Sequence, residues 1–66
     1  PDSAMFYYKK AVKVNPQHIP SYHNMGLLYE DRNDLSNALF SYGKALKIDS
    51  TYQLSKDRVK DLRKRI

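Results

Sequence analysis

The chain has 66 residues, of which 41% are hydrophobic and 29% charged, a balance typical of one small globular domain. A domain of this length buries only about 60% of the surface of its unfolded chain, which leaves little room for a self-contained enzyme. No apolar run approaches the ~20 residues that cross a bilayer, so we expect no membrane span. The net charge of +5 at pH 7 favours an acidic partner, an anionic surface or nucleic acid.

Basic residues are concentrated at one end of the chain. Residues 56–66 contain six Lys or Arg and two Asp, whereas the preceding residues are nearly balanced in charge. The chain has no cysteine, which excludes a disulfide framework and a thiolate zinc site. Because no signal-peptide pattern is visible either, we expect a cytoplasmic protein.

The two halves of the chain repeat each other at an offset of 34 residues. This offset pairs Ala4 with Ala38, Tyr8 with Tyr42, Lys10 with Lys44, Ala11 with Ala45, Lys13 with Lys47 and Val14 with Ile48. Self-similarity with a period of roughly 20–50 residues indicates a repeat architecture, in which each unit buries its apolar face against the next.

Apolar residues at three- and four-residue steps predict helices in both halves. We expect four antiparallel helices, near residues 3–14, 20–32, 36–48 and 52–65. Pro16 prevents the first helix from continuing, and Pro20 suits the first turn of the second. Asn33 is expected to close the second helix in the left-handed conformation. The predicted caps are Asp34 or Ser36 for the third helix and Ser50 or Thr51 for the fourth.

Residues 19–52 resemble a tetratricopeptide repeat over its full 34-residue length. Tyr22, Met25, Gly26 and Tyr29 stand at the positions of the family's first-helix pattern W-x₂-L-G-x₂-Y, and Ala38, Tyr42 and Ala45 at its small–aromatic–small second-helix pattern. The sequence departs from the family where Tyr22 replaces the commoner tryptophan and where Ser50 replaces the closing proline. The resemblance implies an all-α fold of antiparallel helix pairs stacked as an α-solenoid. In this frame residues 1–18 correspond to the second helix of an upstream repeat, and residues 53–66 to a C-terminal capping helix.

The signature residues imply particular packing. Gly26 is expected to let a neighbouring helix approach closely, while Tyr7 and Tyr52 fall outside the signature and are expected to face solvent. The first helix would lack the upstream helix that normally covers it. Its apolar residues Met5 and Val12 would then be exposed, which predicts weak self-association.

Catalytic and metal-binding patterns are not apparent. His18 and His23 are five residues apart with a proline between them, which is not a helical ligand spacing, and we expect both side chains to be solvated. Two glycines cannot form a phosphate-binding loop. We therefore expect no cofactor, no metal and no enzymatic activity.

The resemblance implies a groove that binds a peptide segment of a partner protein. In this family the groove is lined by first-helix side chains, here His23, Asn24, Leu27, Glu30 and Asp31. Asn24 is the strongest choice because its amide both donates and accepts hydrogen bonds, as a peptide backbone requires. Arg58 falls where a basic residue of the family's carboxylate clamp is found. The alternative, that Asn24 is only a common surface residue of the repeat, remains open.

The basic C-terminal helix supports a second interpretation. Besides Arg58, it carries Lys56, Lys60, Arg63, Lys64 and Arg65 around an apolar stripe of Val59, Leu62 and Ile66. Such a helix could dock electrostatically on RNA or an anionic surface. A solvated end-cap helix explains the same residues. Because no aromatic side chain lies among these charges, we expect protein partners and not nucleic acid.

Overall fold

The computed structural model describes residues 2–65, and four α-helices contain most of them. They are α1 (Asp2–Val14), α2 (Ile19–Asp31), α3 (Leu35–Ile48) and α4 (Gln53–Arg65). No strand occurs within this range. The all-α prediction is confirmed, and every predicted helix end lies within one residue of the observed one. Ile66, which was predicted to extend the apolar stripe of α4, lies outside the described residues.

The turn between α2 and α3 follows the sequence prediction. Asn33 has a φ of 60°, in the left-handed region, and its backbone N–H donates to the Glu30 carbonyl. The Asp34 carboxylate caps α3 by accepting from the Asn37 backbone N–H (3.4 Å) and from Asn37 Nδ2 (2.7 Å). Asp34, and not Ser36, is therefore the capping residue of α3.

The turn before α4 differs from the prediction. Asp49 Oδ1 accepts hydrogen bonds from the Thr51 backbone N–H (3.0 Å) and hydroxyl (2.6 Å), so the aspartate side chain organises this turn. Helix α4 then begins at Gln53. The prediction that Ser50 or Thr51 caps α4 is wrong, because a helix that begins at Gln53 has Tyr52 at its cap position, and the Thr51 hydroxyl donates back to Asp49.

The core lies where α2 packs against α3, the most extensive helix contact in the fold. Tyr42 of α3 is fully buried over Gly26 of α2. A Cβ atom built at Gly26 would lie only 2.5 Å from Tyr42 Cε1, so no larger residue fits without movement of the ring. The close approach predicted at Gly26 is confirmed. Ala38 and Leu62 complete the buried cluster, which therefore includes α4.

The helices stack in chain order into a slab with Cα extents of 32 × 27 × 14 Å. Helix α2 packs against both α1 and α3, and α4 packs against α3. The His23 and Arg58 side chains also bridge α2 to α4. These contacts between α2 and α4 place the two helices side by side. Because α1 and α3 are equivalent helices of successive repeats, the same stacking places them together on the opposite side.

The exposed apolar residues of α1 agree only in part with the prediction. Met5 is buried (6% exposed) and Val12 is half-buried, whereas Phe6, Tyr7 and Val14 face solvent. The expected exposure of Met5 and Val12 is wrong because α2 covers their side of α1, while that of Tyr7 is confirmed.

Candidate functional site

His23 is buried between α2 and α4, contrary to the prediction that it lines an open groove. Its Nδ1 atom lies 2.9 Å from Ser55 Oγ of α4. Its ring centroid is 5.3 Å from that of Tyr42 and 5.7 Å from that of Tyr52. Tyr52 is consequently half-buried and not solvent-facing as predicted. Burial lowers the pKa of His23, and the nearby Arg58 charge lowers it further against an opposing effect of Glu30.

Glu30 and Arg58 were both predicted to face a partner, but they pair with each other. Arg58 Nη2 donates to Glu30 Oε2 at 2.6 Å and Arg58 Nε donates to Glu30 Oε1 at 3.1 Å, a bidentate pair between α2 and α4. The Glu30 side chain is only 12% exposed. This hydrogen bonding holds the pKa of the Glu30 carboxyl below its usual value and raises that of the Arg58 guanidinium.

Further contacts extend this pair into a network. The Tyr42 hydroxyl donates to Glu30 Oε1 at 2.9 Å, and burial together with the Glu30 charge raises the pKa of Tyr42. Asp61 accepts from Arg58 and from Arg65, whose Nη1 also lies 3.5 Å from Glu30 Oε2. We call the whole set the α2–α4 network: His23, Glu30, Tyr42, Ser55, Arg58, Asp61 and Arg65. Its acids and bases satisfy one another, so it holds α4 against α2.

Three of the predicted groove residues remain accessible on α2. Leu27 and Asp31 are exposed, and Asn24 is half-buried. Their spacing of three and four residues places them on one side of the helix, and we call them the α2 face. Among residues 2–65 the Asn24 amide has no hydrogen-bond partner, so its donors and acceptor are free to bind another molecule.

The predicted basic patch on α4 is divided. Arg65 belongs to the α2–α4 network. The other four members are exposed and form no ion pair with any described residue: Lys56, Lys60, Arg63 and Lys64. They border an open groove of about 650 Å³ between α3 and α4, with Leu46 and Val59 among its lining residues.

Within residues 2–65 no group of three or more His, Asp or Glu side chains is placed to hold a metal ion. No helix in the same range has the length and apolar character needed to cross a bilayer. His18 Nδ1 lies 2.6 Å from Ser21 Oγ, a contact within the start of α2.

Ser55 and Asp61, the α4 members that complete the network, were not among the predicted site residues. Asp61 lies three residues after Arg58 and four before Arg65, a spacing that predicts ion pairs along one side of a helix. That signal was available. Ser55 carries no comparable pattern, because its partner His23 is 32 residues away.

Comparison with known proteins gives consistent matches. A family model described as tetratricopeptide repeat matches residues 7–40, which run from α1 through α2 into α3. An uncharacterized protein named ycf37 from Guillardia theta is 34% identical over 58 residues, covering 88% of this chain and 33% of that protein. A probable UDP-N-acetylglucosamine–peptide N-acetylglucosaminyltransferase, SPINDLY, from Solanum lycopersicum is 42% identical over 45 residues, covering 68% of this chain and 5% of that protein. The chain thus spans a third or less of the length of either relative.

Proposed function

The chain belongs to the tetratricopeptide repeat family, and from that membership we propose that it binds an extended peptide segment of a partner protein through its α2 face. The family supports a protein–protein interaction module in general. The proposal adds the surface and its residues, Asn24, Leu27 and Asp31. We further propose that the chain contributes binding and not catalysis to any larger protein.

The free amide of Asn24 is the observation that carries this proposal. It is flanked along the helix by the apolar side chain of Leu27, which is 40% exposed. An extended peptide presents backbone N–H and C=O groups with side chains between them, and an amide beside an apolar contact complements both. Asp31 lies one turn further on. Because Arg58 already neutralises Glu30, Asp31 supplies the acidic character of the face, which favours a peptide that is basic or neutral at that end.

The relative from Solanum lycopersicum gives indirect support for peptide binding, because it is named as an enzyme that acts on a peptide. The shared segment is 5% of that protein, so the likeness concerns only a repeat. Repeat modules bind through surfaces that several units build together. A segment of this length would therefore present a peptide as part of such a surface.

The test is to select binders from a displayed library of random peptides with the immobilised chain, and then measure affinity for the fluorescently labelled winners by anisotropy. Asn24→Ala is expected to weaken binding by roughly two- to tenfold, the range for one lost hydrogen bond. Its melting temperature should stay close to that of the unmodified chain, because the Asn24 side chain makes no hydrogen bond to any residue that the structure describes.

Gln17→Ala is the matched control, since Gln17 is also an exposed amide but lies in the α1–α2 turn. It should leave the affinity unchanged. If Asn24→Ala and Gln17→Ala bind the selected peptides equally well, or if the library yields no binder, the α2 face is not the peptide site.

A further inference from the structure

The repeat places an exposed phenylalanine and two lysines at equivalent positions of α1 and α3. In α1 they are Phe6, Lys10 and Lys13, and in α3 they are Phe40, Lys44 and Lys47, each 34 residues later. The two phenylalanine side chains are 64% and 65% exposed. The spacing of four and then three residues puts each set on one side of its helix. We call the surface formed by these six residues together with Lys9 and Val14 the Phe–Lys face.

The Phe–Lys face is basic without acidic compensation. Neither residues 3–14 nor residues 35–48 contain an Asp or Glu. The five lysines form no ion pair with any residue that the structure describes. Both halves carry shallow open depressions, one lined by Phe6, Lys9, Lys10, Lys13 and Val14 and the other by Phe40, Gly43, Lys44 and Lys47. The ring contacts of the two phenylalanines are local: Phe6 lies edge-on to Tyr7, with ring centroids 5.9 Å apart, and Phe40 lies under the Lys44 ammonium of its own helix.

We propose that the Phe–Lys face docks on the surface of a membrane that contains anionic lipids. The lysines would contact the lipid phosphates, while Phe6, Phe40 and Val14 would enter the boundary between headgroups and acyl chains. Because α1 and α3 are equivalent helices of successive repeats, the stacking that places α2 beside α4 repeats both sets on the same side of the molecule, where one surface can meet them together. No span is involved, and the α2 face on the other side stays free for a peptide.

Other occupants fit the face less well. Single-stranded nucleic acid uses aromatic rings as stacking platforms, but the Lys44 ammonium lies 5.3 Å from the centroid of the Phe40 ring, over one of the two ring faces on which a base could stack. Val14, 79% exposed, gains nothing from base stacking. A second copy of the chain would bring five unpaired lysines against five others, which is electrostatically unfavourable.

The first test is co-sedimentation with vesicles of phosphatidylcholine alone or mixed with phosphatidylserine. We expect binding only to the mixture and a steep fall with salt. Lys10→Gln with Lys44→Gln should weaken partitioning by roughly fivefold for each lysine, the effect of one cation near an anionic surface. Lys56→Gln with Lys60→Gln on α4 removes the same charge from exposed, unpaired lysines away from the face, and it should weaken partitioning less.

The second test reports insertion of the apolar side chains. The chain has no tryptophan, so Phe40→Trp introduces a single tryptophan into the Phe–Lys face, and excitation at the red edge of its absorption avoids the six tyrosines. Its emission should shift to shorter wavelength on the phosphatidylserine vesicles. Leu54→Trp is the matched control, because Leu54 is an exposed apolar residue of α4, and its emission should not shift.

Several outcomes would overturn the proposal. If Lys10→Gln with Lys44→Gln weakens vesicle binding no more than Lys56→Gln with Lys60→Gln does, net charge alone attracts the chain. An unshifted Phe40→Trp emission would mean that no apolar side chain enters the bilayer. Tighter binding to a single-stranded oligonucleotide than to the vesicles, or self-association that Phe6→Ser with Phe40→Ser abolishes, would assign the face to those partners instead. Asn24→Ala should leave vesicle binding unchanged, which separates this proposal from the peptide site.

Discussion

The α2–α4 network and the Phe–Lys face use charge in opposite ways. In the α2–α4 network Glu30 and Asp61 are paired with Arg58 and Arg65, at distances as short as 2.6 Å. On the Phe–Lys face five lysines have no acidic partner among the described residues. Charges of the first kind hold helices together, whereas those of the second remain available to another molecule.

This difference shows why a count of basic residues misleads. The sequence concentrates six Lys or Arg in residues 56–66, which directs attention to α4. Two of those six, Arg58 and Arg65, are neutralised within the fold. Helices α1 and α3 carry fewer cations but no acids after residue 3, and they place aromatic rings beside the lysines. Whether basic residues are paired with acids, and which side chains lie beside them, matters more for binding than the number of basic residues on a helix.

The largest expected effect is the difference in stability lost when a buried ring and an exposed ring of the same helix are removed. Tyr42→Ala removes a fully buried side chain and the hydroxyl that donates to Glu30, so it should lower the free energy of unfolding by about 3–5 kcal/mol. Phe40→Ala, two residues away, should change it by less than about 0.5 kcal/mol because its ring is already in water. Chemical denaturation followed by circular dichroism measures both.

A large loss from Phe40→Ala would break the comparison, because it would show that the Phe–Lys face is held against something within the fold. A small loss from Tyr42→Ala would place the core elsewhere than over Gly26.

Features set by local sequence were predictable, and contacts between distant helices were not. The helix ends, the left-handed Asn33 and the Gly26 contact follow from short patterns and the repeat. The burial of His23 depends on Ser55, and that of Glu30 on Arg58, each about one repeat away. Nothing in a single sequence specifies which long side chains bridge α2 to α4. The exposed Phe6 and Phe40 do match at the 34-residue offset, but identity at an offset does not distinguish a core position from a surface one.

An intermediate effect is expected from the two glycines, which occupy opposite environments. Gly26→Ala would place a Cβ atom within 2.5–2.7 Å of three Tyr42 ring atoms, so it should lower the free energy of unfolding by about 1–3 kcal/mol. At Gly43 a Cβ atom meets nothing within 4 Å. Gly43→Ala should therefore raise the free energy of unfolding by about 0.5–1 kcal/mol, the helix preference of alanine over glycine.

Thermal melts of the two variants side by side provide the measurement. If both alanines stabilise the chain, Tyr42 must move away from Gly26 at little cost, and the α2–α3 contact would be looser than the structure shows. If Gly43→Ala destabilises it, a contact on the exposed side of α3 would have to be sought.

The smallest effect is a pH dependence that belongs to the α2–α4 network. Burial lowers the pKa of His23 below its ordinary value of 6.5, so the unfolded chain binds more protons than the folded chain just below that pH. The free energy of unfolding should therefore fall as the pH drops through 6.5 towards the folded-state pKa. A single proton limits the slope to about 1.4 kcal/mol per pH unit. Glu30 acts in a separate window: its lowered pKa gives stability that is lost only below its ordinary value of 4.5.

Denaturant titrations from about pH 8 to about pH 5, where histidine changes charge, measure this slope. His23→Gln is the decisive variant, because glutamine can still hydrogen-bond to Ser55 but does not titrate, and His18 is present in both chains. Neutral His23 is expected to stabilise the fold more than protonated His23 does. The difference in the free energy of unfolding between the unmodified chain and His23→Gln should therefore become smaller as the pH falls. A parallel response of both chains would show that protonated His23 is accommodated between α2 and α4. Arg58, which disfavours a positive charge at His23, would then have to move away from the ring, and the Glu30 pair would open with it.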